Sequence, residues 1–475
     1  MCYSQYPSEG LDLLNKIKNI EVYMGNDNTK ALSGMDMTTG SIPVKILKFS
    51  IPLMLAQILE VLFNMSDVAV VGKFSSYEAL GAVGSTSLLV TLFTGFLIGM
   101  GCGVNVRVAQ QLGAGQKENV RKTIHTSFLL CLIVGLTALV LCILGAEFFL
   151  SLMNTKTELI DGAVLYFRIY ALGMPAMAIY NFGNAVMSAS GDTKKPLIYL
   201  TFAGVVNVCL NLILVIGIGM AEDGVAFASI TAQYISAIFV VVNLLRRSDT
   251  DRCRLRVREL KLYPGVSKVI LMLGIPAGIQ NAIFAMANLF IQTGVNSFSA
   301  VMVSGNAAAA NADMLIYNVM MAFYTACSSF MGQNMGACNK KRMLKSYLIS
   351  MAYAFLAAVL GGLLIIFGRQ FLSLFTSEPE VIDAGMQRIM IMGLSYAVSS
   401  FMDCTIAASR GLGKTIVPTI VVIIGSCVFR VAWVYTIFAH FHTIPSLFLL
   451  YPCSWIITAA AEITYFVHIF KKVTF

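Results

Sequence analysis

Unbroken apolar stretches of about twenty residues recur along the whole chain, and at 1.5 Å of rise per helical residue each is long enough to cross the hydrocarbon core of a bilayer. A backbone in lipid must satisfy its own N–H and C=O groups. Repeated stretches of this length therefore dictate membrane-spanning helices. Composition agrees, with 57% hydrophobic residues, 12% charged residues and a mean hydropathy of +0.78, which excludes an ordinary soluble domain. A β-barrel would alternate apolar and polar residues in runs of roughly ten, and none are found. The eleven cysteines contain no CxxC pair, so neither a disulfide nor a zinc framework is expected. The expected fold is an all-α polytopic membrane protein, with twelve transmembrane helices in two pseudo-symmetric six-helix lobes.

Hydropathy and turn-forming breaks place the spans near 48–72, 79–108, 122–145, 161–190, 196–219, 224–246, 266–296, 302–335, 343–368, 382–410, 415–438 and 445–470. Short loops rich in Lys and Arg stay on the cytoplasmic side. With both termini inside, about 27 of the 33 Lys and Arg fall on that side and about five on the other. This predicts a plasma-membrane protein, a bacterial inner-membrane one, with cytoplasmic N and C termini. The net charge of +9 then reflects topology, and no nucleic-acid partner is expected. The domain division is a polar tail 1–40, a six-helix lobe 41–246, a basic cytoplasmic linker 247–264 and a second lobe 265–475. No function is assigned to the tail, in which Met24, Met35 and Met37 are candidate start residues.

The halves repeat each other. A shift of 224 residues sets Ile51-Pro52 on Ile275-Pro276, Asn64 on Asn288 and Gly81 on Gly305. Gln111-Leu112-Gly113-Ala114-Gly115 meets Asn334-Met335-Gly336-Ala337-Cys338 at a shift of 223. Six helices separate the copies, an even number, so both keep the same orientation in the membrane.

Six short motifs in this order carry a family resemblance: Ile51-Pro52 followed by Asp67-Val68-Ala69-Val70-Val71-Gly72, then Gln110-Gln111-Leu112-Gly113-Ala114-Gly115, Ser190-Gly191-Asp192-Thr193-Lys194-Lys195-Pro196, Gly332-Gln333-Asn334-Met335-Gly336-Ala337 and Ser409-Arg410-Gly411-Leu412-Gly413-Lys414. From about Ile42 to Lys472 the chain resembles the multidrug and toxic compound extrusion (MATE) family. The resemblance implies a V-shaped pair of lobes that exports small organic cations in exchange for H+ or Na+. It also implies that Asp67 belongs to the first-helix cation site. Two departures are visible. The fourth-helix aspartate of the proton-coupled branch has no counterpart at a matching place, and Phe284 stands where the sodium-linked branch carries a seventh-helix glutamate.

Ionisable groups inside membrane helices are costly and mark functional candidates. Gln57, Glu60, Asn64 and Asp67 form one polar stripe on the first helix. The ion-coupling set is Asp67, Glu60 and Asn64, with Asn181 on the fourth helix and Asn207 and Asn211 on the fifth; a sodium ion would sit at Asp67 and Asn181. The substrate-cavity set is Asn184, Asn281, Asn288, Gln292, Asp313, Asp403 and Arg430. Asp403 lies about one turn from the family's tenth-helix position, and by depth Arg430 is expected to pair with Asp313. For each polar group the alternative is interhelical hydrogen bonding. No cofactor is expected beyond the coupling ion, the bilayer is the one other partner, and a monomer is expected. Arg410-Gly411-Leu412-Gly413-Lys414-Thr415 resembles a P-loop tail, but Ala408 replaces its first glycine, and no HExxH or GxSxG motif supports an enzyme. A lipid-linked-precursor flippase on a similar two-lobe fold is the alternative function, and a basic cavity would favour it.

Overall fold

The computed structural model describes residues 34–153 and 155–475. In the first half α1 spans Ile42–Phe74, α2 Tyr77–Gly113, α3 Lys117–Leu152, α4 Thr157–Ala171, α5 Met174–Ala189, α6 Lys194–Gly217 and α7 Glu222–Leu245. In the second, α8 spans Pro264–Asn296, α9 Ala300–Gly336, α10 Lys340–Gly362, α11 Pro379–Gly411, α12 Ile416–Phe441 and α13 Ile444–Lys471. Helices α4 and α5 are bent by 45° at their junction and are long and apolar enough only when taken together, so the described residues hold eleven candidate spans, or twelve, six in each lobe, with this broken pair counted as one. The expected single helix over 161–190 is therefore broken. Gly173 ends it, and Pro175, which lacks an N–H, is accommodated in the first turn of α5.

Several helices run past the apolar stretches because polar residues complete the terminal turns. Ser76 and Ser299 accept from the backbone N–H groups of Ala79 (3.2 Å) and Met302 (3.4 Å) where α2 and α9 begin. On α3, Leu136, Val140, Leu141, Leu144 and Phe148 point outward, the arrangement expected of a lipid-facing surface. The fifth span of each lobe contains π-helical turns, at Leu212–Gly217 in α6 and at Ile423–Val428 and Val434–Phe438 in α12.

The lobes meet along α2 and α8 and where α9 packs on α1 and α2. They interlock on the face where α1 begins and α13 ends. A Cβ on Gly113 would lie 1.8 Å from the carbonyl oxygen of Gln333, and one on Gly336 would lie 1.8 Å from that of Gln110, so only glycine allows this approach. Phe49 of α1 meets Phe330 of α9 edge-on at 5.8 Å. Toward the other face the seam loosens: Gly84 has open space around it, and Asn288 and Gln292 are exposed.

The end of the polar tail is built into this closed face. Met37 is fully buried; its N–H donates to Gln333 Oε1 (3.1 Å) and its carbonyl accepts from Asn334 Nδ2 (3.2 Å). Arg342 donates to the carbonyls of Met37, Thr39 and Gly40, while the Met35 N–H reaches the Gly191 carbonyl at 3.4 Å. Residues 35–40 thus bridge the two lobes. At Asp36, burial acts to raise the carboxyl, but hydrogen bonds from Thr38 and Thr39 and the charge of Lys45 hold it below its usual range.

The basic linker is folded against the start of α3. Arg247 and Asp251 pair at 3.6 Å with both side chains buried. The Arg256 N–H donates to His125 Nε2 at 3.0 Å, and Glu259 forms an ion pair with Arg121 (2.5 Å) and accepts from Arg256 Nη1 (3.1 Å). Partial burial opposes ionisation of Glu259, yet the bonds to Arg256 and Arg121 leave its carboxyl below the usual range. Cys253 is fully buried, which pushes its thiol up to about 12.

Candidate functional site

In the first lobe Asp67, in the C-terminal half of α1, meets α6 and α7. Its Oδ1 accepts from Asn211 Nδ2 at 2.5 Å and its Oδ2 from Ser229 Oγ at 3.0 Å. Asn211 also donates to Asn207 Oδ1 (3.4 Å), and Asn207 donates to Ser229 Oγ (3.5 Å). Asn211 is fully buried and its own Oδ1 lacks a partner. The i, i+4 spacing stacks Asn207 over Asn211 on one face of α6, and the π-helical turn begins directly after Asn211. Such turns re-aim the side chains around them and recur at functional sites. The cluster therefore offers a carboxylate, two amides and a hydroxyl, with no cationic side chain among the described residues hydrogen-bonded to the carboxylate. This donor set suits a proton or a small monovalent cation.

The remaining candidates of this lobe lie outside that cluster. Glu60 and Asn64 are exposed on α1, about 10 Å and 5 Å from Asp67 along the axis. Glu60 has no hydrogen-bond partner among the described residues. Asn181 donates to the Met177 carbonyl one turn earlier at 3.0 Å, and no hydrogen bond joins it to Asp67, so the Asp67 and Asn181 pairing expected for sodium is not assembled in this conformation. Asn184 has a buried Oδ1 without a partner. Ser229 was not visible as a site residue in the sequence, because one hydroxyl in an apolar helix carries no periodic signal.

The second lobe is organised around arginines. Asp313 of α9 is paired with Arg388 of α11, its Oδ2 accepting from Nε at 2.8 Å and from Nη2 at 2.6 Å. Arg388 Nη1 also donates to Asn306 Oδ1 at 2.5 Å, and the guanidinium lies 5.0 Å from the Phe448 ring centroid. The expected pair of Arg430 with Asp313 is thus corrected. Arg430 turns to α13, where Nε donates to Ser454 Oγ at 3.0 Å. The ring centroids of Tyr451, Phe284 and Trp455 lie 4.6, 5.4 and 5.8 Å from it. Phe284, which replaces a family glutamate, therefore meets the arginine with a π face, a cation–π contact in place of an ion pair.

Asp403 is half-buried on α11 and makes no hydrogen bond among the described residues. Asn281 is part of the seam, donating to the Gly95 carbonyl of α2 at 2.9 Å. Asn288 is exposed, and Gln292, also exposed, donates to Asn296 Oδ1 at 2.8 Å. Arg388 and Glu462 were not singled out in the sequence, although both lie within the expected spans 382–410 and 445–470. Their position in apolar stretches was the available signal. Among the described residues, no three His, Cys, Asp or Glu side chains converge as a metal cluster.

Two six-helix repeats that interlock on one face and part toward the other, with polar groups inside each, define the fold of a two-lobe membrane transporter. The MatE family model matches residues 52–213 and again 276–436, once in each lobe. The chain belongs to the MatE family. It is 29% identical over 371 residues to the probable multidrug resistance protein YpnP of Bacillus subtilis (strain 168), covering 77% of this chain and 81% of that protein. It is 25% identical over 398 residues to the probable multidrug resistance protein NorM of Thermotoga maritima, covering 80% and 82%. The solved structure described as an outward-facing conformation of a multidrug resistance MATE family transporter superposes with a TM-score of 0.85 at 21% identity, covering 93% of this chain and 99% of that one. That likeness extends the agreement in fold over nearly the full length, so the all-α two-lobe architecture expected from sequence is borne out.

Proposed function

We propose that this protein exports small organic cations from the cytoplasm by alternating access, in exchange for H+ or Na+, with Asp67 as the coupling carboxylate. The observation that carries the reading is the Asp67 cluster: a carboxylate held by Asn211 and Ser229 without a cationic partner. An incoming cation meets a negative group that is already oriented, and protonation of that group cancels the attraction. Glu60, one and a half to two turns away on the same helix, extends the negative path through the exposed part of α1.

The interlocked face carries the start of α1, the end of α13 and most of the basic residues among those described, which supports assigning it to the cytoplasm of a plasma membrane. The lobes are then closed inside and parted outside, as release to the exterior requires. Relatives named as multidrug resistance proteins support drug-like organic cations as cargo, carried by a monomer without a cofactor. The flippase alternative is less favoured, because Arg388 is paired with Asp313 and Arg430 is enclosed by aromatic rings, so neither offers a free charge to an anionic headgroup.

The test is ethidium efflux from everted membrane vesicles under an imposed pH gradient, with and without sodium, comparing wild type with Asp67→Asn. Gradient-driven transport by the wild type that is lost in an equally expressed variant supports the reading. Wild-type vesicles that move no cationic dye under either gradient would overturn it.

A further inference from the structure

Glu462 lies in the middle of α13, fully buried, and both of its carboxylate oxygens lack a hydrogen-bond partner. No other buried carboxyl among the described residues has both oxygens in that state. Asp313 and Asp251 have arginine partners and Asp192 has Lys195. The charged groups that act on Glu462 come from α11, namely Arg410 and Asp403. Tyr465 is the titratable neighbour on its own helix. From α12, Arg430 donates through Nε to Ser454, two turns along α13, with its Nη2 unpartnered, and α8 contributes the neutral Gln280.

Arg410 is half-satisfied. Its Nη2 donates to Gln280 Oε1 at 3.0 Å, an oxygen that also accepts from Thr419 Oγ1 at 3.3 Å. Its buried Nε has no partner, and it forms no ion pair within 4 Å among the described residues. A donor without an acceptor and a carboxyl without a donor therefore face the same interior from adjacent helices, and they are not in contact.

An ionised carboxylate buried without a hydrogen bond from the protein is strongly disfavoured in such a place, whereas a neutral carboxylic acid is tolerated. Ionisation becomes favourable once the guanidinium reaches it, since a charge-assisted bond to Nε–H replaces the lost hydration. We propose that Glu462 is a second proton-carrying group, in the C-terminal lobe: it holds its proton in the conformation described and releases it when α13 and α11 shift to pair it with Arg410. The O–H bond of the carboxyl breaks, the proton passes to water, and the Arg410 Nε–H bonds to the carboxylate. No other reactant is needed.

The inference rests on the reading of the protein as a cation-coupled transporter and adds a carrier to it. In the N-terminal lobe coupling exchanges a proton for a cation at Asp67. In the C-terminal lobe it exchanges a proton for an internal ion pair, which links helix movement to protonation without a bound ion.

The test uses the full chain reconstituted in liposomes, with two readouts: the infrared C=O stretch of protonated carboxyls at neutral pH, and the protons released per ethidium bound in weakly buffered medium. Glu462→Gln is expected to remove one protonated-carboxyl band and to lower proton release by about half, as expected when one of two linked groups is lost. Glu462→Asp, which keeps the acid should the amide variant misfold, is expected to shift that band instead of losing it. A protonated-carboxyl spectrum unaltered in both variants, or unaltered proton release in a folded Glu462→Gln protein, would overturn the proposal. Asp67→Asn run alongside separates the two readings: if it alone leaves proton release unchanged, the N-terminal coupling site fails while Glu462 stands.

Discussion

The two lobes share a fold and differ in how they treat charge. In the first, Asp67 is met by an amide and a hydroxyl and, among the described residues, by no base. In the second, Asp313 is neutralised by a two-pronged arginine, and Arg430 is sheathed in aromatic rings. Equivalent scaffolds thus carry unlike chemistry. A carboxylate bonded only by neutral groups keeps its charge available to a passing ion, whereas one locked to a guanidinium has already spent it on structure. The difference teaches that intramembrane acids must be sorted by partner before being given a role, since depth and burial alone rank Asp313 above Asp67.

Paired substitutions break the comparison most directly. Asp67→Asn should abolish gradient-driven transport, a loss of at least about tenfold, or ~1.4 kcal/mol of coupling, while the melting temperature in detergent stays near wild type. Asp313→Asn should do the reverse and lower the melting temperature first. If both variants transport normally, or if Asp67→Asn melts as early as Asp313→Asn, the division of labour between the lobes is wrong.

Arg388→Met sharpens the same point from the basic side. It strands Asp313 in the interior and should cost about 3–5 kcal/mol, the penalty of leaving one buried charge uncompensated. The double variant Arg388→Met with Asp313→Leu should recover much of that loss. Failure of the double variant to regain thermal stability would mean that the pair does more than neutralise itself. A smaller effect belongs to Ser229→Ala, which removes one hydrogen bond to Asp67 and should cost about 0.5–1.5 kcal/mol of cation affinity. It would be read as a rise of up to about tenfold in the concentration of ethidium giving half-maximal binding.

The helical frame was legible in the sequence because hydropathy and turn residues act locally. So were the repeat, the polar stripe on α1 and the Asn207 and Asn211 face, each of which is a periodicity along one helix. Pairing across helices was not legible. Arg430 and Asp313 lie at similar depth, yet depth says nothing of azimuth, and Arg430 faces Ser454 on α13. Arg388 was not singled out, because a lone cation near the end of an expected span carries no sign of its partner Asp313 on another helix. Met37 was counted within a polar tail because its neighbours are polar, but its backbone bonds to Gln333 and Asn334 depend on a seam between two distant segments. Glu462 carried a readable signal, an acid in an apolar stretch, but nothing in one dimension reveals that both its oxygens are unpartnered.

The segment that joins the lobes supplies the smallest effect and a control for the rest. Glu259 binds Arg121 at the start of α3 and Arg256 within the linker, so it ties the connection to the first lobe outside the membrane. Its folded-state carboxyl lies below the usual range because these bonds favour the charged form over partial burial. A depressed carboxyl contributes stability above its unfolded value and loses it as the pH falls through the folded one. Glu259→Gln should therefore melt slightly earlier than wild type at neutral pH, by about 0–1 kcal/mol for partly exposed pairs, and the two curves should converge on acidification below the ordinary glutamate range. Added salt should narrow the same gap, since these pairs are accessible to counterions, while leaving the Arg388→Met penalty in place because that pair is buried. If salt relieved both equally, the Asp313 and Arg388 pair would be solvated, and the contrast between a spent charge in one lobe and an available charge in the other would have to be redrawn.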